Sequence, residues 1–394
     1  MLRRDLLKFA ATLPLLWLAP RPCDLLAASS APARGRWDRI LILVELHGGN
    51  DGLNTLVPYS DERYYQARPH LAISRERVLQ LSPSVGLHYA LEPLMPLWEK
   101  QQLAIIQGVG YPDPNRSHFR SIEIWDTASA SQQVLDEGWL ARLFETHPLP
   151  AEFAADGILL GQRDGGPLSG KTVRTIALHD PQQFLQQASH VKAVEQSSAN
   201  RALAHILQVQ RELTHAAADL AARLQQVPPL QTTFPPSPIG RQLETAAQLL
   251  TAKVPVAVIK VSQTGFDTHA GQLGHHERLL KELAEGLAAF RQTMVQAGLW
   301  DRVLLMTYSE FGRRVGENAS GGTDHGTAAP HLFLGGSVKG GLYGSAPLLN
   351  DLQEGDLKYR VDYRSLYATV MRSWWGIPGT TIVGPEYQAI NCLA

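Results

Sequence analysis

Apolar runs of strand length recur along the chain and are separated by polar turns and amphipathic segments. The clearest are Arg39–Leu46, Leu103–Gly108, Val254–Val261 and Arg302–Tyr308, with a shorter run at His331–Leu334. Short, almost continuously apolar runs are typical of strands that are buried on both faces of a parallel sheet. The pattern therefore predicts a central sheet in the core of the protein.

Segments with the helical period lie between these runs. The predicted helices are Leu91–Lys100, Ser117–Thr127 with Ser117 at its N-cap, Ile239–Ala252, Leu273–Ala297 and Asp362–Trp375. Residues 192–226 are also rich in helix formers, and a proline-rich linker follows over residues 228–238. Strands that alternate with helices predict an α/β fold, with helices on both faces of a mostly parallel sheet. We expect a single domain over residues 34–394.

The first 33 residues have the pattern of an export signal. Arg3 and Arg4 precede the apolar segment Leu6–Ala19, and the small-residue pattern Ala31-Pro32-Ala33 follows. The paired arginines are typical of a signal peptide read by the twin-arginine translocase, so we expect a periplasmic or secreted bacterial protein. A membrane anchor is the alternative, but the apolar segment is shorter than the roughly 20 residues that a span needs. We therefore expect no stable membrane span after processing.

Composition narrows the possible partners. The chain of 394 residues is 44% hydrophobic and 19% charged, which is ordinary for a globular protein with a sizeable core. Its formal net charge of −1 gives no reason to expect nucleic acid or an anionic membrane surface as a partner. Two cysteines, Cys23 and Cys392, exclude a disulfide framework and a cysteine-rich zinc site.

Acids, histidines and a serine follow the predicted strands. In open α/β sheets, ligands bind beyond the carboxyl ends of the strands, so these loops are the places to search for a site. For any one loop, a turn or a helix cap explains such residues equally well. Their joint occurrence predicts a site at one edge of the sheet. The residues are Asp51, Ser117, Asp267, His269, Glu310, Asp324 and His325.

Carboxylates mixed with imidazoles indicate a divalent metal. These ligands favour zinc, with manganese, magnesium or calcium as alternatives, and the number of acids leaves one or two ions open. Asp267 and His269 are two residues apart on an irregular loop, where both can face one ion. Asp324 is either a ligand itself or an acid that orients a ligand.

A serine at a helix N-terminus beside such a site is a candidate nucleophile. We assign this role to Ser117, and we place its neighbours Arg116 and His118 in the same catalytic group. Arg120, Arg313 and Arg314 also lie beside these loops and are candidates to bind phosphate or sulfate oxygens, or else are solvated surface residues.

Five segments together resemble a secreted bacterial family of unassigned function that is placed within the alkaline phosphatase-like superfamily, with sulfatases and phosphodiesterases. They are ELHGGNDGLNTLVPY, NRSHFRSIEIWDTAS, TGFDTHAGQ, YSEFGRR and GTDHGTAAPHLFLGG. The resemblance covers nearly the whole chain after the export signal. Its motifs are specific for the family and much less so for a reaction.

The resemblance implies a role for each strand-end residue. Ser117 matches the nucleophile, and Asp51 matches the first acid of the superfamily pattern. Asp267, His269 and His325 are implied to hold one ion, and Asp51 and Glu310 a second. Phe311 stands where a ligand histidine is expected, so His47 or Asp324 has to substitute if a second ion is bound.

Two hypotheses follow. The first is an exported metal-dependent hydrolase that acts on a small anionic ester of phosphate or sulfate. The second is a catalytically degenerate scaffold that binds another exported protein, which the phenylalanine at position 311 suggests.

Two further features carry less weight. Residues 165–172, GGPLSGKT, match a phosphate-loop pattern, but the β-branched segment that follows does not predict the helix such a loop requires. His331, at the start of the last predicted strand, is expected to be structural.

Overall fold

The computed structural model describes residues 35–153, 155–161, 164–178, 218–226, 228–346 and 348–394. The predicted export signal and most of the helix-rich segment 192–226 lie outside these ranges. Among the helices in the described ranges, none combines the length and the apolar character that crossing a membrane would require.

The strands of the described residues are mostly short. They are β1 (Ile40–His47), β2 (Leu56–Val57), β3 (Leu79–Gln80), β4 (Gly86–Leu87), β5 (Leu103–Gly110), β6 (Gly157–Leu160), β7 (Thr175–Leu178), β8 (Val258–Thr264), β9 (Val303–Tyr308), β10 (Ala329–Leu334), β11 (Gly341–Tyr343), β12 (Leu352–Gln353), β13 (Asp356–Leu357) and β14 (Val361–Asp362).

The α-helices vary from single turns to one of 25 residues. They are α1 (Gly52–Thr55), α2 (Glu62–Ala67), α3 (Met95–Glu99), α4 (His118–Thr127), α5 (Trp139–Thr146), α6 (Pro238–Thr251), α7 (Gln272–Gln296), α8 (Arg364–Ala368) and α9 (Thr380–Val383).

One sheet organises the fold. Its strands lie in the order β11-β5-β10-β9-β1-β8-β6-β7, and β14 pairs with β5. All pairings are parallel except those of β10, which runs antiparallel to β5 and β9. The prediction of an α/β fold with a mostly parallel sheet is confirmed. Because β10 is reversed, the loop that enters it lies at the edge where β1, β5, β8 and β9 end.

Helices cover both faces of the sheet. Ile42 and Val44 of β1 belong to one buried apolar cluster, together with side chains of α6 and α7. Leu41 and Leu43, which point to the opposite face, belong to a second cluster with side chains of α4, α5 and α8. Alternate residues of the same strand are thus buried in two separate cores, which explains why the strands are apolar without alternation.

Several predicted boundaries move. β8 begins at Val258 instead of Val254, and the helix predicted over Asp362–Trp375 is α8 followed by a π-helical stretch at Thr369–Trp374. The helix predicted at Leu91–Lys100 is only α3, because the residues before it form a 3₁₀-helix that contains a proline. Ser117 is the N-cap of α4, as predicted.

Close packing of backbone brings the strand-end loops together. His47 pairs with Thr264 at the ends of β1 and β8, and the carbonyl of His47 accepts a hydrogen bond from Phe266 N at 3.1 Å. Gly48 follows with φ of +119°, and a Cβ at this position would lie 2.4 Å from Asp267 N. Only glycine allows the backbone at position 48 to lie this close to the backbone of Asp267. The close contact places Asp267 at the sheet edge, next to the end of β1.

Candidate metal centre

Three side chains converge at the edge where the strands end. Asp267 Oδ1 lies 3.1 Å from both His269 Nε2 and His325 Nε2. The two imidazole nitrogens are themselves 2.9 Å apart. Asp267 and His269 come from the loop after β8, whereas His325 comes from the loop that enters the reversed strand β10. The sequence predicted all three as ligands of one ion, and the structure brings all three together.

The opposite nitrogen of each of these two rings faces an oxygen. His325 Nδ1 lies 2.8 Å from the backbone carbonyl of Arg116, and His269 Nδ1 lies 3.2 Å from Asp324 Oδ1. Both acceptors can take a proton from Nδ1, which leaves the Nε2 lone pair of each neutral ring free to bind a cation in the cluster. Partial burial also holds the pKa of His325 below its ordinary value, which favours the neutral ring.

His118 is a third histidine of the cluster. Its Nδ1 lies 2.9 Å from Glu310 Oε1, and its Nε2 lies 3.4 Å from Asp267 Oδ2. Ligand-capable atoms of His118, Asp267 and His325 all lie within 4.8 Å of one another. The hydrogen bond to Glu310 raises the pKa of His118 above its ordinary value. His118 was predicted as a catalytic residue, and its geometry here is that of a ligand whose outer nitrogen is held by a carboxylate.

This arrangement fits a divalent cation. Two lone pairs that face each other at 2.9 Å repel unless a proton or a cation lies between them. A tetrahedral zinc site with metal–ligand distances of about 2.0–2.1 Å places its ligand atoms about 3.3 Å apart, which is close to the separations observed. The donor set of imidazole and carboxylate, without thiolate, suits zinc or manganese.

Arg313 holds the carboxylate of Asp267 in place from the protein interior. This buried guanidinium donates to Asp267 Oδ1 at 2.6 Å and to the carbonyls of Gly49, Phe266 and Thr323 at 2.8–2.9 Å. Although partial burial acts in the opposite direction, the hydrogen bond and the positive charge of Arg313 lower the pKa of Asp267 to about 2. The carboxylate is therefore ionised at neutral pH. Arg313 itself is not free to bind substrate, contrary to its candidate role.

Glu310 lies behind the cluster. It is buried, and its Oε1 accepts a hydrogen bond from Gly48 N at 2.8 Å in addition to its contact with His118. Burial opposes ionisation, but His118 and these backbone contacts keep the pKa of Glu310 below its ordinary value. The structure therefore places Glu310 as the acid that orients His118 and does not bring it to a second ion.

Asp51 is the predicted ligand that the structure separates from the cluster. It is fully buried, and Arg68 donates to both of its oxygens at 2.6 and 3.0 Å. Gln272 Nε2 and Leu53 N donate to the same carboxylate. With its acceptors filled by the chain, Asp51 has a structural role, and the described residues around it form no second group of metal ligands.

Phe311 occupies the position where the superfamily pattern expects a histidine. Its ring is buried and packs against His325 and His118, with centroid distances of 4.5 and 5.0 Å. A Cβ on Gly49 would lie 2.4 Å from this ring, so the backbone is shaped around it. Phe311 supports the two imidazoles and does not interrupt their convergence.

Ser117 and Arg116 flank the cluster without contacting its ligand atoms. Ser117 is exposed at the N-cap of α4, and its side chain makes no capping hydrogen bond. The guanidinium of Arg116 pairs with the buried carboxylate of Asp356, while its backbone carbonyl accepts a hydrogen bond from His325.

The other candidate anion-binding arginines also have partners within the chain. Arg314 lies 3.6 Å from the carboxylate of Asp356, and Arg120 donates to the carbonyl of Ser131 at 3.0 Å. Arg116, which directly precedes Ser117 in the chain, is the arginine nearest in sequence to the candidate nucleophile.

Sequence reasoning missed two contributions. It did not identify His118 as a ligand, although an imidazole at the first position of α4 was a usable signal. Arg313 was predicted either to bind phosphate or sulfate oxygens or to be a solvated surface residue. The sequence offers no signal for its burial, because the carbonyls it binds come from three separate loops.

Comparison with known proteins gives a family and weak structural likenesses. The solved structures that resemble this chain include the lipoteichoic acid synthase LtaP from Listeria monocytogenes, at 10% identity and a TM-score of 0.38, over 89% of this chain and 74% of that one. Another is the zinc complex of the C-terminal periplasmic domain of EcEptC from Escherichia coli, at 9% and 0.41, over 90% and 92%. A third, from Vibrio parahaemolyticus, is described as a protein in the alkaline phosphatase superfamily, at 9% and 0.38, over 84% and 65%.

At such TM-scores the likeness carries no information about the reaction. No curated protein matches this chain. The family described as "Protein of unknown function (DUF1501)" matches residues 79–377, and the chain therefore belongs to that family, as the resemblance of its motifs predicts.

Proposed function

We propose that this protein is an exported metal-dependent hydrolase of phosphate or sulfate esters. The observation that carries the proposal is the convergence of His118, His269 and His325 on Asp267, with every outer imidazole nitrogen held by an oxygen. Such an arrangement orients imidazoles for a metal ion, and it has no evident purpose in a scaffold.

One ion is proposed. Asp267, His269 and His325 would hold it, and His118 is the further candidate ligand beside Asp267 Oδ2. Zinc is the first choice and manganese the second, with magnesium and calcium disfavoured by the imidazoles. When bound, a divalent ion supplies Lewis acidity that stabilises negative charge on the ester oxygens.

Ser117 is the proposed nucleophile. Its hydroxyl is exposed, and it stands at the N-terminus of α4, where free backbone N–H groups favour an anionic ester. In the first step Ser117 Oγ bonds to phosphorus or sulfur, the ester bond breaks, and the serine proton ends on the leaving alcohol. In the second step water displaces Ser117 Oγ, the serine recovers a proton, and inorganic phosphate or sulfate leaves.

Arg116 is proposed to bind the anionic oxygens during both steps. Its guanidinium is about one-third exposed and is held in place by Asp356. Planar guanidinium matches two oxygens of phosphate or sulfate at once.

The test is metal analysis of the purified protein together with turnover of 4-nitrophenyl phosphate and 4-nitrophenyl sulfate. Wild type is expected to hold about one divalent ion and to hydrolyse one of the two esters. Asp267→Ala should lower both the metal content and the turnover, whereas the surface variant Asp219→Ala should alter neither. A protein that holds no metal and turns over neither ester would refute the proposal.

The role of Ser117 is tested separately. Ser117→Ala should keep the metal and lose turnover. If it keeps turnover while Asp267→Ala loses it, the serine is not the nucleophile and the metal-dependent activity stands.

Export is also part of the proposal, because residues 1–33 carry the twin-arginine pattern. Arg3→Lys combined with Arg4→Lys should leave the protein in the cytoplasm of a bacterial host, as measured by fractionation. Unchanged delivery to the periplasm would contradict twin-arginine export.

A further inference from the structure

A cavity of about 450 Å³ adjoins the candidate metal centre. Its lining includes Arg116, whose carbonyl binds His325, and Thr327, which follows His325 by two residues. The opposite wall comes from the segment that contains Glu354, Asp356 and Tyr359. The cavity and the cluster of ligands thus share two loops, and its volume is in the range of small-molecule sites.

Apart from the exposed part of Arg116, which is proposed to bind the ester itself, the positive charges of the cavity are paired. Asp356, which is buried, pairs with Arg116 and lies 3.6 Å from Arg314 Nε. Lys358 pairs with Asp351. Glu354 lies 3.8 Å from Arg116, and its carboxylate is 77% exposed. A second anionic group in the cavity would therefore meet an exposed carboxylate and no unpaired cation among these residues.

The lining is also unsuited to a purely apolar group. Carboxylates, an amide, a guanidinium and a hydroxyl alternate with the tyrosine rings and proline faces of Tyr111, Pro112 and Tyr359. Tyr359 is 39% exposed, so its ring is available for contact. Flat apolar faces between hydrogen-bonding groups match a ring that carries several hydroxyls, because each hydroxyl needs a polar partner and each C–H face needs an apolar one.

We propose that this cavity binds the alcohol part of the ester and selects an uncharged, polyhydroxylated group such as a sugar ring. The inference rests on the proposed hydrolase and adds its substrate class. The reacting ester would face the metal centre, and the hydroxylated ring would lie between Tyr359 and the loop Tyr111–Arg116.

The experiment compares three phosphate esters of similar size: α-D-glucose 1-phosphate, cyclohexyl phosphate and α-D-glucuronic acid 1-phosphate. The second removes the hydroxyls, and the third adds a carboxylate. For each ester, kcat/KM is measured in wild type, in Tyr359→Ala and in Gln353→Leu, and the ratio of wild type to each variant cancels the intrinsic reactivity of the ester. Tyr65→Ala, in a tyrosine that does not line the cavity, is the matched control.

Tyr359→Ala should lower kcat/KM through KM for both glucose 1-phosphate and cyclohexyl phosphate, because both rings would pack on its apolar face. Gln353→Leu, which removes a hydrogen-bonding amide of the lining, should lower it about fivefold for glucose 1-phosphate and less than twofold for cyclohexyl phosphate. Glu354→Gln should improve the use of the glucuronic acid ester relative to the glucose ester, because it removes the exposed carboxylate. Equal effects of Gln353→Leu on the glucose and cyclohexyl esters would overturn the inference and leave the hydrolase standing.

A binding measurement separates this inference from the proposed activity. Saturation-transfer NMR with methyl α-D-glucopyranoside, which has no ester to cleave, should show contact with wild type that is lost in Tyr359→Ala and kept in Tyr65→Ala. If no ester is hydrolysed but this contact is found, the cavity site stands and the hydrolase fails. If no contact is found, the cavity inference is wrong.

Discussion

Asp51 and Asp267 begin alike and end in different roles. Each follows one of two neighbouring parallel strands, and each meets an arginine at 2.6 Å. Asp51 is fully buried, and donors from Arg68, Gln272 and the backbone fill both of its oxygens. Asp267 is 46% exposed and receives its arginine on Oδ1 only. The same Oδ1 also faces His269 and His325, and Oδ2 faces His118.

The difference teaches what a strand-end acid needs in order to bind a metal. The end of a parallel strand places a carboxylate at the edge of the sheet, where ligands bind. Whether it serves as a ligand depends on the lone pairs that the chain leaves free. Arg68 lies at the end of α2 and also donates to the carbonyl of Val315 at 2.8 Å. Its hydrogen bonds therefore connect Asp51, which follows β1, to the segment that follows β9.

The largest effect is expected from removing Arg68. Arg68→Ala leaves the carboxylate of Asp51 buried without its counter-charge, which should lower the free energy of unfolding by about 3–5 kcal/mol. Urea unfolding followed by circular dichroism measures the loss. Arg63→Ala, which breaks the exposed pair with Asp61, is the control and should change stability by less than about 1 kcal/mol. Equal losses in both variants would mean that Asp51 does not depend on its arginine.

The next effect concerns Asp267. If each of four ligands carries a similar share of a zinc-binding free energy of about 10–16 kcal/mol, Asp267→Ala should weaken binding by about 3 kcal/mol, or about hundredfold. Competition with a chromophoric chelator measures the affinity. Asp51→Asn is the matched variant and should leave the affinity of the folded protein unchanged. Comparable weakening in Asp51→Asn would erase the distinction between the two acids.

The sequence predicted more of the central sheet than of the candidate metal centre. Continuous apolar runs located β1, β5, β8 and β9, because strands buried on both faces need no polar positions. The antiparallel direction of β10 could not be predicted from the sequence, because an apolar run does not show in which direction its strand crosses the sheet. That antiparallel direction brings His325 to the edge. The strand-end pattern and the resemblance both predicted His325 at the site, and the topology explains how it gets there.

Some of the candidate ligands could be predicted from the sequence and others could not. Asp267 and His269 were predictable because they are two residues apart on one loop. Asp51 was assigned to a second ion because the sequence does not show that Arg68, 17 residues further on, reaches it. Glu310 was assigned likewise, and its hydrogen bonds to Gly48 and His118 depend on the packing of β1 against β9.

His325 and His331 extend the comparison from acids to histidines. They are six residues apart, but His331 is buried in β10, and burial lowers its pKa to about 3. The unfolded chain takes up this proton near pH 6.5 and the folded protein does not, so stability falls as the pH falls below 6.5. Between pH 7 and pH 5 the cost of this one residue is about 2 kcal/mol.

His331→Gln should remove that part of the pH dependence. Urea unfolding at pH 7 and pH 5 measures it, as the difference between the two pH values in each protein. His275→Gln, in an exposed histidine of α7, is the control and should lose as much stability on acidification as wild type does. If His331→Gln loses as much as wild type, the buried ring is not the source.

The smallest effect is expected at Asp324, which orients His269 from an exposed position. Asp324→Asn keeps an oxygen near His269 Nδ1 but removes its charge, so Nε2 becomes a weaker donor to a metal. Outer carboxylates of this kind contribute about 10–100-fold to affinity, and solvent exposure favours the lower end, about tenfold. Chelator competition measures it, with Glu317→Gln, the acid beside His70, as the control. An unchanged affinity would mean that the lone pair of His269 is directed by the backbone of its loop alone, and a loss as large as that of Asp267→Ala would make Asp324 a ligand in its own right.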